Sequence, residues 1–140
     1  MTVIFSYRKI LVPHDGSEMS DKALSHAPYL SKISGAEVVV LNVIEDEIIP
    51  PSALLAFIRP ETPLEKAKHD LGNTLEGGVK QMLERRIIEC KEAGINKVSY
   101  EIRTGKPVDE TVHLSEEINC DIVVMSKKMI IKKVNSYDNY

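Results

Sequence analysis

The chain has 140 residues, 43% of them hydrophobic and 28% charged, with no Trp and only two Phe, which suits one domain around one core filled by Ile, Val, Leu and Ala. Its longest strongly apolar runs, 38–41 and 122–125, fall far short of the roughly 20 residues that cross a bilayer, so no membrane-spanning helix is expected. A net charge of -3 argues against a general nucleic-acid binder, because neutralising phosphates takes clustered Lys and Arg.

Residues 1–8, Met-Thr-Val-Ile-Phe-Ser-Tyr-Arg, have no basic start, adequate apolar stretch or small-residue cleavage site. They do not read as a signal peptide, and a cytoplasmic location is the simplest expectation. Lys9 to Pro13 is a short aliphatic run ended by a turn, as in a strand covered on both faces. From Ser17 to Ile33, the residues Ala23, Leu24, Ala27, Leu30 and Ile33 recur at three- and four-residue steps and predict a helix. Ser17 or Ser20 caps its start and Gly35 its end, while Pro28 kinks it. Glu37 to Ile44, rich in Val, is the clearest strand.

The stretch from Glu45 to Thr62 contains Pro50, Pro51 and Pro60 and reads as a long loop, with one helical turn at 52–57. Helical spacing then runs from Leu64 to Ala93, weakened near Gly72, Gly77 and Gly78 and stopped by Gly94. Lys97 to Arg103 alternates apolar and polar residues and predicts a third strand. Pro107 opens a helix to about Ile118, with Val108, Val112 and Ile118 available to face the sheet. Cys120 to Met125 is a fourth strand. Cys90 and Cys120 both fall inside apolar patterns, where an unpaired Cys acts as a small buried hydrophobe, so no disulfide framework is implied. The last fifteen residues are distinct: they carry +3 and the preceding 125 carry -6, giving an expected division into a domain over 1–125 and a basic tail over 126–140.

The order β-α-β-α-β-α-β implies an α/β fold, an open parallel sheet with helices on both faces. Ligands of such sheets gather at the carboxyl ends of the strands where strand order reverses, so function is sought just after Val12, Val43, Arg103 and Met125. After the first strand come Pro13, His14, Asp15 and Gly16. An Asp there can accept hydrogen bonds from a ribose or base or hold a metal ion, and Gly16 allows close backbone approach to an anion at the helix start. An Asp-Gly turn with Ser17 as helix cap accounts for the same residues, and spacing alone favours it.

The segment Lys9-Ile-Leu-Val-Pro-His-Asp-Gly-Ser-Glu18, the helix with Ala23, Leu24 and Ala27, the strand ending Leu41-Asn-Val43, the turn Thr104-Gly-Lys-Pro107 and Asp121-Ile-Val-Val-Met125 together resemble a universal stress protein over roughly 8–125. The resemblance implies a Rossmann-like sheet of the adenine-nucleotide alpha-hydrolase kind. It also implies a cytoplasmic stress-response protein acting by binding and association rather than turnover, and a homodimer. Nucleotide-binding members hold adenine and ribose against the Asp after the first strand and the backbone ending the second. Carried over, the ligand residues are Pro13, His14, Asp15, Gly16 and Val43, with Met125 and Ser126 after the fourth strand and ATP as the ligand.

This sequence departs from the family after Met125. The family's Gly-x-x-Gly and later Gly-Ser or Gly-Thr, whose amides cradle phosphates, are replaced by Ser126-Lys127-Lys128-Met129, and no Gly follows Gly105. The family's fifth strand is expected to be missing or replaced. Lys127, Lys128, Lys132 and Lys133 offer point charges for a phosphate, or form a solvated basic end. The alternatives to pure association are therefore an ATP sensor using Asp15 and the Val43 backbone and, second, a slow ATPase. His14, His26, His69 and His113 are scattered without metal-ligand spacing, so no metal site is expected. A phosphoacceptor domain needs an acidic pair after the first strand and an Asp after the third, where this chain has one acid and Arg103.

Overall fold

The computed structural model describes residues 7–45 and 64–127. All of the expected loop over 45–62 except Glu45 lies outside those residues, with its helical turn at 52–57, as does nearly all of the basic tail. The elements are β1 (Lys9–Pro13), α1 (Glu18–Leu24), α2 (Ala27–Ser34), β2 (Glu37–Ile44), α3 (Leu64–Glu92), β3 (Val98–Thr104), α4 (Pro107–Glu117) and β4 (Ile122–Val123). Among the described residues the four strands are parallel, in the order β3-β2-β1-β4.

Alternation along β1 and β2 builds two cores from one sheet. Ile10, Val12, Val38 and Val40 face α1, α2 and α3, where they meet Leu24, Ala27, Leu83 and Cys90. Leu11, Val39 and Leu41 point the other way, onto Leu114 of α4 with Ile118 and Cys120 beside it. Both central strands are thus apolar on both faces, which is why they read as continuous aliphatic runs. Successive right-handed crossovers put α1 to α3 on one side and, once the chain turns back across β1, α4 on the other.

Three details depart from the sequence pattern. The helix over 17–33 is broken rather than kinked, since α1 ends at Leu24 and α2 starts at Ala27. Pro28 then sits in the first turn of α2, where its missing N–H costs nothing, whereas an unbroken helix would set its ring against the Leu24 carbonyl. The cap residues are as expected: the Ser17 hydroxyl accepts from the Ser20 N–H, and Gly35 ends α2 at φ +70. Helix α3 runs on through Gly72, Gly77 and Gly78 as its spacing led one to expect, because packing of Leu71 and Leu83 outweighs the weak propensity of three glycines.

On α4, Val108 and Val112 face outward, 39% and 46% exposed, and Thr111 and Leu114 are the buried pair. The Thr111 hydroxyl donates to the Pro107 carbonyl at 2.6 Å, which lets a polar residue take the inner position. The fourth strand is shorter than its apolar run, pairing only Ile10 with Ile122 and Leu11 with Val123. Backbone bonds from Asp121 N to Lys9 O and from Val124 N to Leu11 O, both 2.9 Å, extend the pairing at each end.

Candidate functional site

Chain order runs from β1 to β2 to β3 in one direction and then places β4 on the far side of β1. The reversal therefore lies between β1 and β4, and the carboxyl ends of those strands carry Pro13 to Gly16 on one side and Met125 and Ser126 on the other. Val43 lies one strand away, near the end of β2 and in register with Arg103 of β3. Its half-buried side chain packs on the Leu11, Leu41 and Leu114 cluster, so its backbone is the part at the strand-end edge. Ser126 is buried and Met125 half-buried.

The turn after β1 is held by its own polar groups. The Asp15 carboxylate accepts at Oδ1 from the Ser17 N–H at 2.9 Å and from the Ser20 hydroxyl at 2.6 Å, while the Asp15 N–H donates to Ser20 Oγ at 3.2 Å. Burial works against the charged form of Asp15, but these hydrogen bonds outweigh it and hold the carboxyl below its ordinary range. The residue stays exposed. Gly16 has φ +87, a backbone conformation that suits glycine, and a Cβ added there would meet Met82 Cε of α3 at 3.9 Å.

His14 points inward and is 1% exposed. Its Nδ1 accepts from the Gly16 N–H at 3.0 Å, so that nitrogen carries a lone pair. The proton is then on Nε2, which donates to Asp21 Oδ1 of α1 at 2.8 Å. Asp21 also receives Arg86 of α3, from Nε at 2.7 Å and from Nη2 at 3.2 Å. Desolvation raises the Asp21 carboxyl, and the bonds from His14 and Arg86 together with the Arg86 charge bring it below the ordinary range. The His14 backbone is fixed as well, its N–H donating to Leu41 O at 2.7 Å and its carbonyl accepting from Asn42 Nδ2 at 2.8 Å.

Asp21, Asn42 and Arg86 were not singled out from sequence. Asn42 carried a signal, since it is a lone amide inside an otherwise aliphatic strand and is buried. Asp21 and Arg86 are 65 positions apart and look like ordinary surface charges on two helices. Below the site, Asp121 Oδ2 accepts from the backbone N–H groups of Arg8 and Lys9 at 2.6 and 3.0 Å, which staples the start of β1 to β4 and depresses the Asp121 carboxyl.

Arg103, at the end of β3, is engaged by three carboxylates: Glu101 at 3.3 Å, Glu110 at 3.6 Å and Glu117 at 2.5 Å. A phosphate would have to displace them to use it. Burial pushes the thiols of Cys90 and Cys120 up, away from the reactive thiolate form. Among the described residues no group of three or more His, Cys, Asp or Glu is placed to hold a metal ion, and no described helix is long and apolar enough to cross a membrane.

The model of the Universal stress protein family matches residues 6–129. This chain belongs to that family. It is 32% identical over 123 residues to Universal stress protein MJ0577 of Methanocaldococcus jannaschii, covering 85% of this chain and 75% of the relative. The solved structure of MJ0577 superposes with a TM-score of 0.68 at 28% identity over 85% of this chain and 73% of that one. The universal stress protein UspA from Lactobacillus plantarum gives 0.71 at 19% identity over 87% and 78%, a likeness of fold. A universal stress protein solved in complex with cAMP gives 0.50 at 21% identity over 86% and 73%, again a likeness of fold. The chain is therefore a universal stress protein-like stress-response protein with a Rossmann-like α/β fold, as the residues around Asp15 and 121–125 led one to expect.

Proposed function

We propose that this universal stress protein acts by binding and association rather than turnover, as a cytoplasmic homodimer, with its ligand edge at Pro13, His14, Asp15, Gly16, Val43, Met125 and Ser126. The observation that carries the ligand edge is the reversal of strand order between β1 and β4, since the turn and residues 125–126 follow those two strands and ligands of parallel sheets gather at such a reversal. Action without turnover is supported by the way the polar side chains of the turn are spent. The Asp15 carboxylate is bonded to the helix cap Ser17 and to Ser20, and both His14 ring nitrogens are bonded inside the chain, which suits a shaped edge better than a general base.

Nucleotide binding is the second reading, favoured by one observation: Asp15 is exposed in the turn at the carboxyl end of β1. A relative of the same fold is known in complex with cAMP. The residues fit only the base and ribose end of such a ligand. At the phosphate end, Met125 is followed by Ser126 and Lys127, with no glycine after Gly105 to let backbone amides wrap an anion, so an ATP phosphate cradle does not fit this chain. Titrating the protein with ATP and Mg²⁺ in a calorimeter is expected to give no saturable micromolar binding. Such binding, abolished by Asp15→Ala, would replace the association reading with a nucleotide sensor. Phosphate release faster than in a heat-treated control would make it an ATPase, and a monomeric mass by light scattering would remove the homodimer.

A further inference from the structure

We propose that His14 is a positioning residue of the β1 turn whose neutral ring holds Gly16 and, through Asp21, ties that turn to Arg86 of α3, so that a proton on Nδ1 releases the turn. The chain of bonds is continuous: Gly16 N–H to Nδ1 at 3.0 Å, Nε2–H to Asp21 Oδ1 at 2.8 Å, and Arg86 Nε–H to the same oxygen at 2.7 Å. Each link joins a different element, namely the turn, α1 and α3. The ring is buried, so water does not substitute for a lost partner.

Protonation acts on one end of the chain only. With both nitrogens protonated, Nδ1–H faces the Gly16 N–H, and two donors cannot share a bond. At the other end the cationic ring gains attraction to Asp21. The ring therefore stays on α1 while the turn is let go, and Gly16, at φ +87 beneath Met82, is the residue that moves. Among the described residues the charged groups around the ring are Asp21 from α1, Arg86 from α3 and Asp15 from the turn itself, while β2 offers the neutral Asn42 amide to the His14 carbonyl. The functional consequence, a ligand edge whose shape follows pH through a ring buried behind it, rests on the site proposed above. The tie itself does not.

The test uses the unliganded full-length protein, so a failed ligand titration leaves it untouched. ¹⁵N NMR of the imidazole at neutral pH is expected to show the Nε2–H tautomer. On acidification the Gly16 amide shift and the Met82 methyl shift should follow the His14 ring with one shared midpoint. Two variants that cannot titrate divide the ring's roles. In His14→Asn the side-chain oxygen takes the place of Nδ1, so the Gly16 amide keeps its neutral-pH shift and loses the titration. In His14→Gln the amide nitrogen takes the place of Nε2, so Asp21 stays paired while Gly16 exchanges up to about tenfold faster at every pH. An Nδ1–H tautomer, or a Gly16 amide indifferent to the ring's titration in the wild-type protein, overturns the proposal without reference to either variant.

Discussion

Asp21→Ala puts the tie between the turn and the helices to an energetic test. The imidazole of His14 is fully buried, at 0% side-chain exposure, and Asp21 is the acceptor for its Nε2–H. Stranding a buried donor costs about 1–3 kcal/mol. The ion pair with Arg86 adds less, because Asp21 is 41% exposed and water and salt screen it, which limits that share to about 0.2–1 kcal/mol. The expected loss is about 1–4 kcal/mol, a large part of the roughly 5–15 kcal/mol by which a domain is stable. Urea unfolding followed by circular dichroism at pH 7 reads it as a lower midpoint with an unchanged slope. In a His14→Leu background no donor is left to strand, so the same substitution should cost less than about 1 kcal/mol, the Arg86 share. A loss under about 0.5 kcal/mol in the wild-type background, or an equal loss in both, would refute the reasoning.

Acid sensitivity follows from the carboxylates. Asp15, Asp21, Asp121 and Glu117 are all held below their ordinary ranges in the folded chain. Each therefore adds stability that is present above the unfolded pKa and lost as pH falls through the folded one. Melting temperature should hold from pH 7 down to about 5 and decline below about 4, and Asp21→Asn should flatten the decline; an unchanged slope in that variant would detach the effect from this residue. In α3, Gly77 and Gly78 are exposed and an added Cβ at either meets nothing within 4 Å. Alanine at each should stabilise the protein by about 0.5–1 kcal/mol, read from the urea midpoint, and a destabilised variant would show that the helix needs the glycines.

Much of the fold was legible because its signals are local. Aliphatic runs at Lys9 to Pro13 and Glu37 to Ile44 mark strands buried on both faces, three- and four-residue spacing marks α2 and α3, and Ser17 and Gly35 mark helix ends through their own hydrogen-bonding and φ preferences. Errors arose where packing competes with local preference. Pro28 broke a helix instead of bending it, and α4 turned Thr111 inward and Val108 and Val112 outward.

The sequence by itself determined the strand order along the chain, the position of the Asp15 turn at a carboxyl end, and the loss of glycine after Gly105, since these depend on which residues follow which. Only the tertiary structure decided what surrounds that turn. Strand β4 beside β1 puts 125–126 across from it, and folding brings Arg86 of α3 and Asp21 of α1 together 65 positions apart. Periodicity shows which face of a helix is buried but not which helix lies opposite, so a buried imidazole linking three elements is invisible until the chain has closed on itself.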